Sequence, residues 1–467
     1  MQIYISGVGG SGLSSLAHLC LDLGFRVAGS DANLSKGIEK LVARGLVFNH
    51  GQDAEFLEKI NNQNNIDYYI YTPALKKDDP EKAKALELKI PSGKQNFLVN
   101  EILKLKQLKL IAVAGTHGKT TTTAMIVWIL KKLNVPISYI IGTEIGFGNS
   151  GQYQNESQYL IYEADEYDRK FLDLKPEISL VTSLDYDHPD TYPTQDAYYQ
   201  AFRDFIDQTS QICYLYNENC FDLISTKNSE YLRDWVSTNQ KKTFLISLEA
   251  NWGEIQKSIK ALIKLPGKHN RLNGYLALQT VLNLFYLDKD YTKLIPDFDL
   301  DKKTDFLKFK RKIADILNVF PGTSRRFEKI AENIYSDYAH HPTEIAATLQ
   351  LASEYIKINT PESKLIVVYQ PHQNARQHQI KEHYSKCFNL ADKIFWLPTY
   401  LTREDPDQKV LSGNNLTQDA EYKSRIEFID FSNELFDKVN QEVKANNLVL
   451  LLGAGTIDLW FREKLKK

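Results

Sequence analysis

Short apolar runs recur along this chain, each ending in glycines or polar residues and followed by a stretch with helical spacing. Runs too short for helices, bounded by turn formers and followed by amphipathic stretches, predict parallel strands joined by crossover helices. Gln2 to Ser6 is the first such run. It passes through Gly7, Gly9, Gly10 and Gly12 into SSLAHLCLDLG, a predicted helix ending at Gly24, and then into FRVAGSD, a strand that stops at Asp31. DYYIYTPAL (Asp67 to Leu75) is another strand, Asp79 to Lys89 a helix, and Ile90 the start of a short strand.

The pattern starts again at Leu108. LKLIAVAG is a continuous apolar strand, Thr116 to Thr120 a loop, and the stretch from Thr120 a helix with Met125, Ile129 and Leu133 on one stripe. Tyr159 to Tyr162 and ISLVTSLDYDH supply two further strands. Ala197 to Ile206 is a helix with aromatic anchors, and PGKHNRLNGYLALQTVL is a loop entering a helix. From Pro321 the same grammar returns: NIYSDYAHHPTEIAATLQLA as strand, polar loop and helix, then strands in LIVVYQPH, Asp392 to Leu397 and NLVLLLGAG. The expectation is an α/β chain of three domains. An N-terminal Rossmann-like βαβ domain spans 1–106, a central phosphate-loop ATPase-type domain 107–320, and a C-terminal Rossmann-like domain with another open parallel sheet 321–467.

Length agrees, since 467 residues at about 150 per domain give about three domains. Fifty-seven basic against 59 acidic side chains leave a formal charge of -2, which gives no sign of a nucleic-acid-coating surface. Four cysteines, Cys20, Cys213, Cys220 and Cys387, are too scattered for a disulfide framework or a metal knuckle. No run approaches a membrane span, and Met1 leads straight into the first strand, so neither a membrane anchor nor a signal peptide is expected. The chain reads as cytoplasmic.

Chemistry gathers where the runs end. Gly7-x-Gly9-x-x-Gly12, with Asp31 about 20 residues on, is the dinucleotide-type phosphate cradle. It leaves NAD, FAD and a nucleotide sugar open as ligands. Gly115, Thr116, His117, Gly118, Lys119, Thr120 and Thr121 form a second phosphate loop, in the short G-x-x-G-K-T form because Val113 stands where the full pattern wants glycine. Backbone amides at the helix start would surround phosphate oxygens, Lys119 would reach the β and γ phosphates, and Thr120 would place its hydroxyl on Mg²⁺. As a loop lysine, Lys119 is expected to face solvent. Glu163, Asp165, Glu166 and Asp168 crowd one strand end, and Asp185, Asp187, His188 and Asp190 another. Such crowding calls for a cation, and two clusters beside a phosphate loop suggest one or two Mg²⁺ ions bridging ATP to a second substrate. His269, Asn270 and Asn273 either cap a helix or read a base. Arg325 and Arg326 lie together after a turn, and Asp337, Tyr338, His340, His341, His372, Arg376 and His378 lie at strand ends of the third segment.

Together GVGGSG, GTHGKTTTT, EADE, the Asp187-His188 pair, HNRLN, RRFE, DYAHHPTEI and GAG, in this order and over the full length, resemble the Mur ligase family, the ATP-dependent amide-bond ligases of peptidoglycan precursor assembly. The resemblance implies that the glycine loop of the first domain holds the diphosphate of UDP-N-acetylmuramate and no redox cofactor. It puts Thr120 and Glu163 on one magnesium, His188 near a second, and Asn270 by the adenine with His269 and Asn273 nearby. Arg326 and Asp337 reach ATP once the domains close. Within the family the chain is most similar to the alanine-adding members, which makes L-alanine the expected amine, bound between Tyr338, His340, His372 and Arg376, in a monomer or homodimer. Gln373, Asn374 and Tyr167 depart from the alanine-adding pattern, and Tyr167 and Asn374 look more like the members that add the tripeptide L-Ala-γ-D-Glu-meso-diaminopimelate.

Overall fold

The computed structural model describes residues 1–76, 78–188, 190–210, 212–215, 243–244, 259, 261–402, 404 and 407–466. Cys220, named above, lies outside them. By its internal contacts the chain forms two compact units, Met1–Lys264 with Leu272–Phe320, and Leu265–Arg271 with Pro321–Lys467.

The first unit carries two sheets. One has five parallel strands: β1 (Gln2–Ser6), β2 (Arg26–Asp31), β3 (Val47–His50), β4 (Tyr68–Tyr71) and β5 (Ser92–Gly93), in the order β3-β2-β1-β4-β5. The other has seven: β6 (Lys109–Ala114), β7 (Ser138–Ile140), β8 (Gly151–Gln152), β9 (Tyr159–Glu163), β10 (Ile178–Val181), β11 (Ile212–Leu215) and β12 (Thr243–Phe244), in the order β12-β11-β10-β6-β9-β7-β8. Only β8 runs antiparallel, paired to β7 in a short edge hairpin that no alternation in the sequence announced. In both sheets the first strand formed is flanked by strands leading away on either side. This order reversal opens a crevice at the carboxyl ends, where ligands bind in open α/β sheets. One apolar cluster, including Ile3, Leu16, Leu98, Leu110, Tyr162 and Phe202, runs through both sheets of this unit.

The helix after β6 spans Lys119–Lys132, one residue earlier than expected. It is not amphipathic about a Met125–Ile129–Leu133 stripe; almost every residue from Thr120 to Leu130 is buried. Four consecutive threonines are poor helix formers. Burial on all sides holds them helical, and the Thr123 hydroxyl folds back onto the Lys119 carbonyl at 2.8 Å.

The second unit carries a six-stranded sheet: β13 (Glu328–Ala331), β14 (Ile334–Asp337), β15 (Leu365–Tyr369), β16 (Lys393–Trp396), β17 (Ile426–Phe428) and β18 (Leu448–Leu452), in the order β13-β14-β18-β15-β16-β17. The expectation of a purely parallel sheet needs correction here. β13 pairs antiparallel with β14 through a tight turn at Glu332 and Asn333, too short for a crossover helix. The five strands from β14 onward are parallel. Among the described residues no helix is long and apolar enough to cross a membrane.

Candidate active site

In the first unit, the ends of β6, β9 and β10 lie side by side at the crevice of the seven-stranded sheet. Gly118, at φ +85°, turns the chain into the helix, and a Cβ there would sit 2.7 Å from the Asn273 carboxamide oxygen. Glycine is therefore required twice over, by the left-handed backbone and by the neighbour. The contact also brings Asn273 to the loop. Thr116 donates to the Asp185 carbonyl at 2.7 Å and receives the Asp185 amide at 2.9 Å, while the His117 amide bonds Ser183 Oγ at 2.7 Å and its ring lies 3.2 Å from the Asp185 carboxylate. The end of β10 thus fixes the loop's shape.

Lys119 is not the solvent-facing side chain the sequence led us to expect. It is the first residue of the helix, its side chain is 14% exposed, and its ammonium lies 2.7 Å from Glu166, itself 1% exposed. It also donates to the carbonyls of Gly115 (2.6 Å) and Thr116 (3.2 Å). Burial alone would pull its pKa down, but Glu166, Asp165 and Glu163 together hold it above the ordinary lysine range. The ammonium sits in the loop as a fixed cation.

Thr120 Oγ1 donates to Glu163 Oε1 at 2.6 Å, and the other Glu163 oxygen takes the Gly142 amide at 2.7 Å. Two hard oxygen donors touching at the start of a helix are the donor set magnesium takes when phosphates and water complete its octahedron. The residues fit that ion. His188, read near a second magnesium on the sequence, has its Nε2 3.6 Å from Glu166 and 3.8 Å from Asp187, and the Tyr167 ring meets it edge-on. Among the described residues no three His, Cys, Asp or Glu side chains converge as a metal cluster. Asp165 is tied to Lys170 at 2.8 Å; burial raises its pKa, but Lys170 and Lys119 outweigh burial and lower it.

The glycine loop of the five-stranded sheet is built without cations. Gly7, at φ +81°, and Val8 donate to the Ser30 carbonyl, and Gly10 donates back to Gly7. Asp31 Oδ2 takes the Gly9 amide at 2.9 Å and its Oδ1 the Asn33 amide at 3.0 Å, so this carboxylate closes the loop. Gly12 abuts Gln95, whose amide donates to its carbonyl at 3.2 Å. Under the loop lies Glu81, fully buried, which the sequence reading passed over because it sits in a plain helical stretch. It accepts from Tyr4 (2.6 Å), Ser6, Ser30 (2.6 Å) and the Asp53 amide (3.0 Å).

In the second unit, the ends of β14, β18 and β15 adjoin. Arg325 and Arg326 both lie over the Tyr338 ring, at 4.7 and 5.3 Å from its centre, and Arg325 also donates to the Gly453 carbonyl. Asp337 is buried; it accepts from the amides of Ala339 and Phe327, each at 2.8 Å. Burial pushes its pKa up, partly offset by Arg326. His340 meets His372 at 5.8 Å between ring centres, and His372 stacks on Tyr400 at 5.5 Å. Arg376 follows on the helix Asn374–Ile380. Tyr400 was missed on the sequence because it stands alone in a loop. His341 caps the helix Pro342–Asn359 in a capping box with Glu344. Burial, with Arg326 and Arg271, holds His269 down to about 4, and Asn270 donates to the Pro266 carbonyl at 3.2 Å, a helix-start contact.

Asn374, one of the departures, is buried and spent within the fold. Its amide nitrogen donates to the Lys409 carbonyl and its oxygen receives the Leu411 amide. Glu404 binds the backbone amides of Thr402, Asn374 and Ala375.

Three family profiles cover most of the chain: "Mur ligase family, catalytic domain" at residues 2–106, "Mur ligase middle domain" at 113–281, and "Mur ligase, glutamate ligase domain" at 325–455. UDP-N-acetylmuramate--L-alanine ligase of Pelodictyon phaeoclathratiforme is 31% identical over 98% of this chain and 92% of its own length. The protein of that name from Rickettsia bellii is 27% identical over 100% and 96%. The crystal structure of UDP-N-acetylmuramate-alanine ligase from Thermotoga maritima shares the fold at a TM-score of 0.71, with 23% identity over 100% of this chain and 98% of that one. A murein peptide ligase from Psychrobacter arcticus does so at 0.62, with 20% identity over the same shares.

Proposed function

The chain belongs to the Mur ligase family, and from that premise we propose that it joins L-alanine to the lactyl carboxylate of UDP-N-acetylmuramate, using ATP, in peptidoglycan precursor synthesis. The observation that carries the reading is the set Lys119, Thr120 and Glu163 at the crevice of the seven-stranded sheet, in a chain aligned nearly end to end with alanine-adding ligases. Residues 1–106 take the sugar nucleotide, 107–320 the ATP and 321–467 the amino acid.

The lactyl carboxylate oxygen attacks the γ phosphorus, the bond to the β-phosphate oxygen breaks, and ADP leaves. The amine then attacks the acyl phosphate and expels inorganic phosphate as the amide forms. Lys119 exchanges Glu166 for phosphate oxygens and balances their charge as it moves along the reaction path. Thr120 and Glu163 hold magnesium, which supplies further charge neutralisation at the phosphates, and His188 keeps Glu166 oriented. Arg326 and Asp337 address ATP from the third domain, with Asn270, Asn273 and His269 around the base. Gly7, Gly9, Gly10 and Gly12 cradle the uridine diphosphate on a loop closed by Asp31. Arg376 pairs with the alanine carboxylate, and His340 and His372 flank the amine, which must lose a proton to attack. ATP dependence puts the reaction in the cytoplasm, by a monomer or homodimer.

Phosphate release with UDP-N-acetylmuramate, ATP and Mg²⁺ is to be compared for L-alanine, glycine, L-serine and the tripeptide. The highest kcat/KM is expected with L-alanine; a tripeptide value well above it would overturn the reading. Asn374 gives the tripeptide no support, because its amide is consumed by the loop 409–411.

A further inference from the structure

Beneath His372 runs a chain of buried polar side chains that the mechanism above does not use. Tyr369, Tyr384 and Gln377 are all without solvent exposure. The two phenol oxygens lie 2.6 Å apart, Tyr384 donates to Gln377 Oε1 at 2.7 Å, and Gln377 Nε2 donates to the His372 carbonyl at 3.0 Å. Tyr369 also lies 3.3 Å from the His340 carbonyl. Burial lifts both phenols well above their usual range, so each keeps its single proton. Two protons face three acceptors, and the two short contacts take them: Tyr369 donates to Tyr384, and Tyr384 to Gln377. The chain therefore has one direction, and it ends on His372.

The residue at that end needs holding. Gln373 has φ +66° and ψ +111°, a backbone that a side-chain-bearing residue adopts only when its surroundings over-determine it. Gln377 grips this turn twice, with its side chain on the His372 carbonyl and its own amide on the Gln373 carbonyl at 3.1 Å. The turn aims the His372 ring between His340 and Tyr400. The geometry points to Gln377 and Tyr384 as positioning residues that hold the strained His372–Gln373 turn and so set the affinity for the incoming amine. The statement that the turn serves the amine rests on the functional reading above; the statement that the chain holds the turn does not.

Two measurements separate these. Amide hydrogen exchange, read without substrate, should quicken across residues 371–377 in Gln377→Met and Tyr384→Phe, with β15 still protected. Unchanged exchange there overturns the proposal. Steady-state kinetics should then show the KM for L-alanine raised about fivefold, the effect of losing one net hydrogen bond, with the KM values for ATP and UDP-N-acetylmuramate unmoved. A uniform loss of kcat with all three KM values intact would mean ordinary destabilisation and overturn it. In Gln377→Glu the ionised carboxylate repels the His372 carbonyl, whereas the neutral acid regains a donor. Its KM for the amine, taken relative to the unmodified protein at each pH, should fall as pH falls; a flat ratio counts against the proposal. If the unmodified protein uses the tripeptide instead of L-alanine, the functional reading fails and the same KM split is read on the tripeptide.

Discussion

The two glycine-turned loops of the first unit, for which we propose phosphate binding, share one architecture and contrasting electrostatics. Each follows the central strand of its sheet, a strand with parallel neighbours on both sides, turns on a glycine with positive φ and opens a buried helix. After β6 the loop is crowded with charge: Lys119 lies against Glu166, Thr120 against Glu163, and Asp165 against Lys170. After β1 there is no cation in the loop, its one carboxylate is bound to backbone amides, and the acid beneath it is surrounded by neutral donors. A loop that only has to hold a diphosphate can do so with amides and a helix start. A loop where a phosphoryl group changes hands needs charges that are already fixed when the transition state forms. On the proposed function, the fold would supply the cradle and the ionised groups would mark where chemistry occurs.

The sharpest break comes at Lys119. Lys119→Met should lower turnover by about 10³-fold. It should also cost stability, about 3 kcal/mol, because Glu166 is left as a buried charge without its ammonium. Adding Glu166→Gln should restore the urea midpoint and leave turnover lost. A single variant that releases phosphate at the normal rate would remove the distinction between the loops.

Next comes Glu163→Gln, which keeps a partner for Thr120 but loses charge. The Mg²⁺ concentration for half-activity should rise at least tenfold, and overlaying Mg²⁺ titrations would make the pair structural. On the neutral loop, Asp31→Ala frees the Gly9 amide. Calorimetry should show affinity for UDP-N-acetylmuramate falling about fivefold, in line with one lost hydrogen bond, with ATP affinity unchanged. Equal losses for both ligands would mean that the two loops are not independent.

Much of this was legible in the sequence because strands with glycine turns and polar ends have strong local signatures. Gln2–Ser6 and Arg26–Asp31 stand where the pattern put them, and the loop after Ala114 opens at Gly115 as expected but gives way to the helix at Lys119, one residue early. What the sequence hid was pairing across distance. Nothing local says that Lys119 would bury its charge on Glu166, that His188 would lie beside Glu166, or that Asn374 would be spent on residues 409–411. Glu81 and Gln377 were invisible for the same reason: each sits in an ordinary helical stretch, and only the folded chain delivers its partners.

The smallest expected effect tests the comparison through pH. Burial raises the pKa of Glu81, with Ser30, Ser6, Tyr4 and the Asp53 amide opposing the rise only in part. The folded chain then holds this proton more tightly than the unfolded chain does, so stability falls as pH rises above the ordinary carboxylate range toward the folded value. Asp165, on the charged loop, is shifted the other way: burial is outweighed by Lys170 and Lys119, so its contribution is present above the unfolded value and is lost as pH falls through the folded one. The two acids therefore tilt stability in opposite directions, as a neutral and a cationic surrounding require. Glu81→Gln cannot ionise, and its new N–H can be met by rotating Ser6 or Ser30, so the variant should fold. Unfolding free energies from urea titrations between pH 4.5 and 7 should decline less with pH in Glu81→Gln than in the unmodified chain. Asp165→Asn should instead lose its advantage at neutral pH and converge with the unmodified chain in acid. Parallel curves for Glu81→Gln would mean that the acid under the glycine loop is ionised as freely as a surface carboxylate, and the electrostatic contrast between the loops would fail at its base.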